Sequence, residues 1–150
     1  MNAVVLKAGE GTELSLGGVR MVVKEDGSRT RRTLGLAEFE VPPHGQQTPP
    51  PHVHHSHEEG FYILEGELEF QVETEKVRVG QGSFVMVPSG VAHTFSNPTD
   101  KPARFLNTFT PRHYLSYFEE LSQLFEGSAS PSRQQLAEVM AHYDTEVVSR

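Results

Sequence analysis

The 150-residue chain has no cysteine, which excludes disulfide cross-links, thiolate metal sites and a cysteine nucleophile. It also has no run approaching the roughly 20 apolar residues of a membrane-spanning helix. Residues Met1 to Glu13 carry only the short apolar patch Ala3 to Leu6, without the basic lead, long apolar stretch and small-residue cleavage pattern of a secretory signal. A soluble cytoplasmic protein is therefore the expectation. Basic residues are scarce, 13 Lys and Arg against 20 Asp and Glu, for a formal net charge of -7 with neutral histidines. That balance repels phosphate backbones and anionic lipid, so neither nucleic acid nor a membrane is an expected partner. The one basic run, Arg29 with Arg31 and Arg32, lies beside the turn-like Glu25-Asp26-Gly27-Ser28 and reads as solvated hairpin charge. Gly-x-Ser-x-Gly elbows, phosphate-cradling loops and dinucleotide fingerprints are missing too.

What the chain does contain is histidine: eight in all, five of them between His44 and His57. The length suits one domain over residues 1–150. From Val19 to Phe109, short segments rich in β-formers alternate with Gly, Pro, Asn and Asp. Strands are predicted over Arg20 to Lys24, Thr33 to Val41, Gly60 to Leu64, Glu67 to Glu73, Lys76 to Val79, Ser83 to Val87, Ala92 to Ser96 and Ala103 to Phe109. In Glu67 to Glu73 the polar and apolar residues alternate strictly, which places Leu68, Phe70 and Val72 on one inner face. Many short strands at close spacing predict an all-β sandwich or barrel, with its core over about residues 19–110.

Beyond Pro111 the pattern turns helical. Tyr114, Leu115, Phe118, Leu121 and Phe125 form one stripe of a helix ended by Gly127. A second helix is expected with Ser130 as its cap and Pro131 at its first position, burying Leu136, Val139, Met140 and Tyr143. Together they make a C-terminal helical segment over about residues 112–148, read as packing across the barrel or against a partner subunit. Residues 42–51 are too rich in proline for a central strand and are expected to form an extended loop into the histidine cluster.

In that cluster, His52 and His54 stand two apart. On a strand they point to the same side and can converge on one ion, while Val53 faces away. The polar stretch His55 to Glu58 supplies a bend, after which Glu59 opens the next strand with Phe61 and Ile63 sharing its inward parity. Glu58 is the rival carboxylate. A further ligand must come from a distant segment, and the tight turn Pro88-Ser89-Gly90 aims His93 at the start of its strand. Three imidazoles and one carboxylate suit Fe, Mn, Ni, Co, Cu or Zn, and suit the all-oxygen sites of calcium or magnesium poorly. One carboxylate against a dication leaves a centre near +1, ready for an anionic substrate oxygen. His55 and His57 have no place in this ligand pattern and read as solvated, substrate-contacting or supporting groups. His44, His113 and His142 read as isolated surface or structural residues.

These residues fall in two spaced motifs. The first runs Gly45, six residues, His52-x-His54, four residues, Glu59, six residues, Gly66. The second runs Gly82, five residues, Pro88-x-Gly90, two residues, His93, three residues, Asn97. Together they resemble the two motifs of the cupin superfamily, the first with one extra residue after its glycine and the second at every position. The resemblance spans residues 45–97. It implies a double-stranded β-helix barrel, gives His52, His54, Glu59 and His93 the role of ligands to one divalent transition metal ion, favours Glu59 over Glu58, and makes Asn97 a turn residue after the His93 strand. The small chain with C-terminal helices is similar to quercetinase-like cupins, which implies an oxygen-dependent dioxygenase acting on a small phenolic or enolizable molecule. Glu59 then also serves catalysis by accepting the substrate proton, and Phe61, Phe70 and Phe95 either line an apolar cavity or pack as core. The same ligands would serve a non-redox cupin, an isomerase, lyase or polyketide cyclase, and a non-catalytic small-molecule-binding cupin is the third reading. The family also implies a homodimer, in which Val4 to Leu6 offers a strand for exchange.

Overall fold

A computed structural model describes residues 3–45, 49–127 and 130–148. Gln46, Gln47 and Thr48 of the proline-rich loop lie outside the described residues. Strand β1 (Thr12–Leu16) precedes β2 (Val19–Glu25), β3 (Gly35–Val41), β4 (His52–His54), β5 (Glu58–Glu65), β6 (Glu67–Val72), β7 (Glu75–Gly80), β8 (Phe84–Val87), β9 (His93–Ser96) and β10 (Ala103–Thr110). A one-turn 3-10 helix, Arg112–Tyr114, leads into α1 (Leu115–Gly127), followed by α2 (Arg133–Ala141) and a last strand, β11 (Thr145–Val147).

Two antiparallel sheets make up the barrel. One has the order β1-β2-β3-β10-β5-β8, the other β11-β4-β9-β6-β7. Strands distant in sequence pair inside each sheet, so the chain crosses between layers repeatedly, as in a double-stranded β-helix. Period-two alternation buries one face of each strand. In β10, Ala103, Phe105, Asn107 and Phe109 are buried while Arg104, Leu106 and Thr108 are partly exposed. In β6, Leu68 and Phe70 are fully enclosed and Val72 is half-buried. The core is aromatic at its centre: Phe105 stacks on Phe39 at 5.0 Å between ring centroids, and meets Phe95 edge-on at 5.3 Å and Phe61 at 5.6 Å.

Three elements differ from the sequence expectation. Strand β1 extends the barrel ahead of Val19, because Gly17 and Gly18 both take positive φ (62° and 104°) and close a two-residue hairpin that pairs Leu16 with Val19. The second helix is capped by Ser132 rather than Ser130. The Ser132 hydroxyl accepts from the Gln135 backbone N–H while the Gln135 side chain accepts from the Ser132 backbone N–H, a reciprocal box that fixes the helix start two residues later. The C-terminal segment is not wholly helical, since β11 returns to the barrel and pairs with β4. Val4, Val5 and Leu6 form no strand within the chain and are exposed.

Helices α1 and α2 cover one end of the barrel. Leu115, Phe118, Leu121, Val139 and Met140 are buried in the same cluster as Phe39 and Phe105, and Phe118 meets Phe39 edge-on at 5.4 Å. None of the helices in the described residues is long and apolar enough to cross a membrane.

Candidate metal centre

His52 and His54 lie on β4, with Val53 between them on the other face, as strand parity requires. His93 opens β9 directly opposite His52 in the antiparallel pair. These three belong to one sheet. Glu59 lies on β5 of the other sheet, between Val87 of β8 and Phe109 of β10. The centre therefore bridges the two layers. One ligand atom from each of the four residues falls within 4.8 Å of all the others, and all four side chains are buried. Glu58 is excluded: its side chain is exposed and accepts a hydrogen bond from the Thr110 hydroxyl at 2.8 Å.

The turn before His93 is fastened to the His54 strand. Gly90, at φ 85°, donates its backbone N–H to the His54 carbonyl at 2.7 Å, and the Ser89 hydroxyl donates to the His55 carbonyl at 2.8 Å. That conformation is cheap for glycine alone. Asn97, fully buried, donates to the Pro42 and Lys101 carbonyls at 3.1 and 2.7 Å and accepts from the Thr99 backbone at 3.0 Å. It thus orders both the loop after β9 and the start of the proline-rich loop.

Each imidazole is held through its Nδ1. His52 Nδ1 donates to the Pro50 carbonyl at 2.8 Å and His93 Nδ1 donates to the Val91 carbonyl at 3.1 Å; a carbonyl only accepts, so both nitrogens carry protons. His54 Nδ1 lies 2.9 Å from the Thr145 hydroxyl, which itself donates to the Tyr143 carbonyl and so accepts from His54. In the neutral rings the Nε2 lone pairs then face inward. His54 Nε2 and His93 Nε2 each lie 3.1 Å from the same Glu59 Oε2. Four inward electron pairs repel unless a proton or a cation sits among them, and three oriented imidazoles with one carboxylate fit a borderline divalent transition metal.

The electrostatics agree with that donor set. Burial, reinforced by His93 and His54, pushes His52 down to about 3, so the ring is neutral at physiological pH. Burial alone would raise the Glu59 carboxyl, but the His54 and His93 imidazoles beside it outweigh burial and hold Glu59 well below the ordinary carboxylate range, as a proton or cation shared among these groups requires.

Sequence reasoning did not find every residue around the centre. His57 is buried rather than solvated, with its ring 4.0 Å from His54 and 4.1 Å from Tyr114, and burial pushes it down to about 3. His57 Nε2 is the one sealed side-chain nitrogen or oxygen without a partner among the described residues. Tyr117 stacks on Tyr114 at 4.6 Å, and burial raises both phenols. His55 is exposed beside Glu146, His142 pairs with Glu120 at the surface, and His44 and His113 take no part in the centre.

His52, Glu59 and His93 open onto a cavity of about 290 Å³ between the barrel and the C-terminal helices. Phe39, Phe61, Phe95 and Phe105 form its barrel wall, with Tyr117 and Phe118 contributed by α1. Phe70 belongs to the core behind this wall, packed edge-on against Phe61 at 5.0 Å. Among the described residues the lining includes no Lys or Arg, and Glu59 is its only acid.

A double-stranded β-helix with three histidines and one glutamate converging across its two sheets defines a barrel protein with a candidate metal site. A family model described as a cupin domain matches residues 37–109, just under half of the chain, and the barrel has the cupin fold. It is 25% identical over 84 residues to quercetin 2,3-dioxygenase of Bacillus subtilis, a match covering 56% of this chain and 25% of that protein. The chain thus spans a quarter of that relative's length. Among solved structures, the polyketide cyclase RemF from Streptomyces resistomycificus aligns at a TM-score of 0.63 with 24% identity, covering 73% of this chain and 80% of that one. A protein described as a predicted oxalate decarboxylase from Thermotoga maritima aligns at 0.62 with 22% identity, covering 72% and 99%. These structural likenesses show the fold.

Proposed function

We propose that the protein is a metal-dependent dioxygenase acting on a small phenolic or enolizable substrate, with His52, His54, Glu59 and His93 as ligands to one divalent transition metal. The observation that carries this reading is the wall of the cavity. Among the described residues the chamber is aromatic, carries no cationic side chain and opens onto three of the four ligands, which suits a flat, largely apolar molecule. Those residues offer no counter-ion to a phosphate or a dicarboxylate. The sequence similarity to a quercetin dioxygenase supports the same choice of substrate class.

When bound, the metal supplies a positive charge that acidifies a coordinated hydroxyl and activates oxygen chemistry beside it. The chain's own groups do the rest. The carbonyls of Pro50 and Val91 and the Thr145 hydroxyl keep the three rings in the tautomer that presents Nε2. Glu59, anionic and buried, is the base placed to take the substrate hydroxyl proton. Phe61, Phe95 and Phe105 hold the ring system from the barrel side, and Tyr117 and Phe118 of α1 face it from the other.

The test combines metal analysis of protein purified without added metal with oxygen uptake against a panel of flavonols and diketones. Stoichiometric redox-active metal and substrate-dependent oxygen uptake are expected. A redox-inert metal alone, with turnover under anaerobic conditions, would overturn the dioxygenase reading in favour of a non-redox cupin. Tight binding of panel members with no turnover would make the protein a binding module.

A further inference from the structure

Apart from the candidate metal ligands, the barrel wall of the cavity carries one polar side chain among the described residues, Asn107. It is 2% exposed and lies on the inward face of β10, in line with Phe105 and Phe109. An amide at such a position forgoes the apolar burial that its strand neighbours gain, so its retention calls for partners. Half of its capacity is used: Nδ2 donates to the Gly60 carbonyl at 3.0 Å, which also fixes which end of the amide is nitrogen. Its Oδ1 takes no hydrogen bond among the described residues, and it is not one of the sealed atoms, since His57 Nε2 alone has that status there. Oδ1 is therefore open to the cavity. The phenols of Tyr114 and Tyr117, by contrast, reach the cavity from its helical side.

Register places this amide relative to the centre. Phe109 is the strand partner of Glu59, and Asn107, the partner of Phe61, lies one inward position further along β10. Neighbouring inward positions on a strand are roughly 7 Å apart. A ring bound to the metal through one oxygen would carry a second oxygen into reach of Asn107 if that oxygen were displaced across the ring, but not if it were adjacent to the first.

We propose that Asn107 is a specificity-determining residue that selects substrates with two separated oxygen functions, a phenolate or enolate oxygen at the metal and a hydroxyl donating to Asn107 Oδ1. This rests on the metal-site reading above and names a narrower substrate class within it: a monoanionic, aromatic or enolic molecule with meta- or para-related oxygens.

Binding to zinc-loaded protein tests it without oxygen chemistry, so its outcome is separate from that of the dioxygenase reading. The probes are phenol, catechol, resorcinol and hydroquinone, titrated calorimetrically into wild type and Asn107→Leu. A neutral hydrogen bond of this kind gives roughly tenfold tighter binding. Resorcinol or hydroquinone should bind wild type about tenfold tighter than phenol, and the gain should vanish in Asn107→Leu while phenol affinity and zinc content stay unchanged. Catechol, whose adjacent oxygens can chelate the metal by themselves, should keep its advantage in both proteins. The proposal is overturned if neither isomer exceeds phenol in wild type, if the gain survives in the variant, or if all four probes weaken together. Asn107→Ala takes the place of the leucine variant should that one fail to fold, with the same outcomes.

Discussion

The Thr145 hydroxyl meets His54 Nδ1 at 2.9 Å across 91 positions of sequence, tying strand β11 to the candidate metal centre. Thr145 and His54 are register partners in the β11–β4 pair, so the contact is built by strand pairing rather than by a loop. Outer partners of metal-bound imidazoles fix ring orientation, and their loss typically costs 10–100-fold in metal affinity. Thr145→Val, which keeps shape and removes the acceptor, should weaken zinc or cobalt binding by about that factor in a chelator competition. A wild-type affinity in the variant would show that β11 does not support the centre.

The two adjacent carboxylates should separate cleanly. Glu58→Gln changes an exposed side chain bonded to Thr110 and should leave metal content within error of wild type. Glu59→Gln removes the only anion among the four buried groups and should reduce bound metal at least tenfold. Metal-to-protein ratios of the two purified variants decide this, and equal ratios would contradict the assignment.

Acid should destabilise the metal-free protein well above the usual carboxylate range. His52 and His57 are held at about 3 when folded against 6.5 as ordinary histidines. Unfolding therefore takes up protons between those values, and stability falls as pH drops from 6.5 towards 3. Glu59, depressed in the fold, adds to the loss below its ordinary 4.5. Each histidine contributes a slope of up to about 1.4 kcal/mol per pH unit in that window. Melting curves from pH 8 to 5 should be flat above about 7 and decline below 6.5; a Tm that rises on acidification would contradict the burial of neutral rings.

Phe105 contacts Phe39, Phe61 and Phe95 and is 1% exposed, at the junction of core and cavity. Phe105→Ala should cost about 3–5 kcal/mol in denaturant unfolding, since three neighbouring rings lose contact and cannot all collapse into the gap. A loss below 1 kcal/mol would show a looser centre than the one described.

Much of the barrel was legible because alternation fixes which side chains face in. The same parity aligned His52 with His54 and put Glu59, not Glu58, inside. The pairing of His52 with His93 followed from strand order, which periodicity does not encode; the paired motifs indicated it only through resemblance. Other features were hidden for physical reasons. Strand β11 has three residues and directly follows a helix, though the β-branched run in Thr145-Glu146-Val147-Val148 was a signal for it. Ser132 outcompeted Ser130 because only Ser132 has a glutamine three residues on. Tyr114 read as part of an ordinary helical stripe and Tyr117 lay outside it, and their place at the cavity depends on how α1 docks. Asn107 did leave a mark, as a polar residue at an inward position of an otherwise apolar alternation.

Metal content measured on wild type and His93→Ala, each purified in parallel, tests the central claim most directly. His93 comes from the second motif and from a strand remote in sequence, so its loss removes a ligand without touching the His52–Glu59 segment. About one transition metal ion per chain is expected in wild type and less than a tenth of that in His93→Ala, with the barrel's far-UV spectrum retained. Stoichiometric metal in His93→Ala would contradict the four-residue centre.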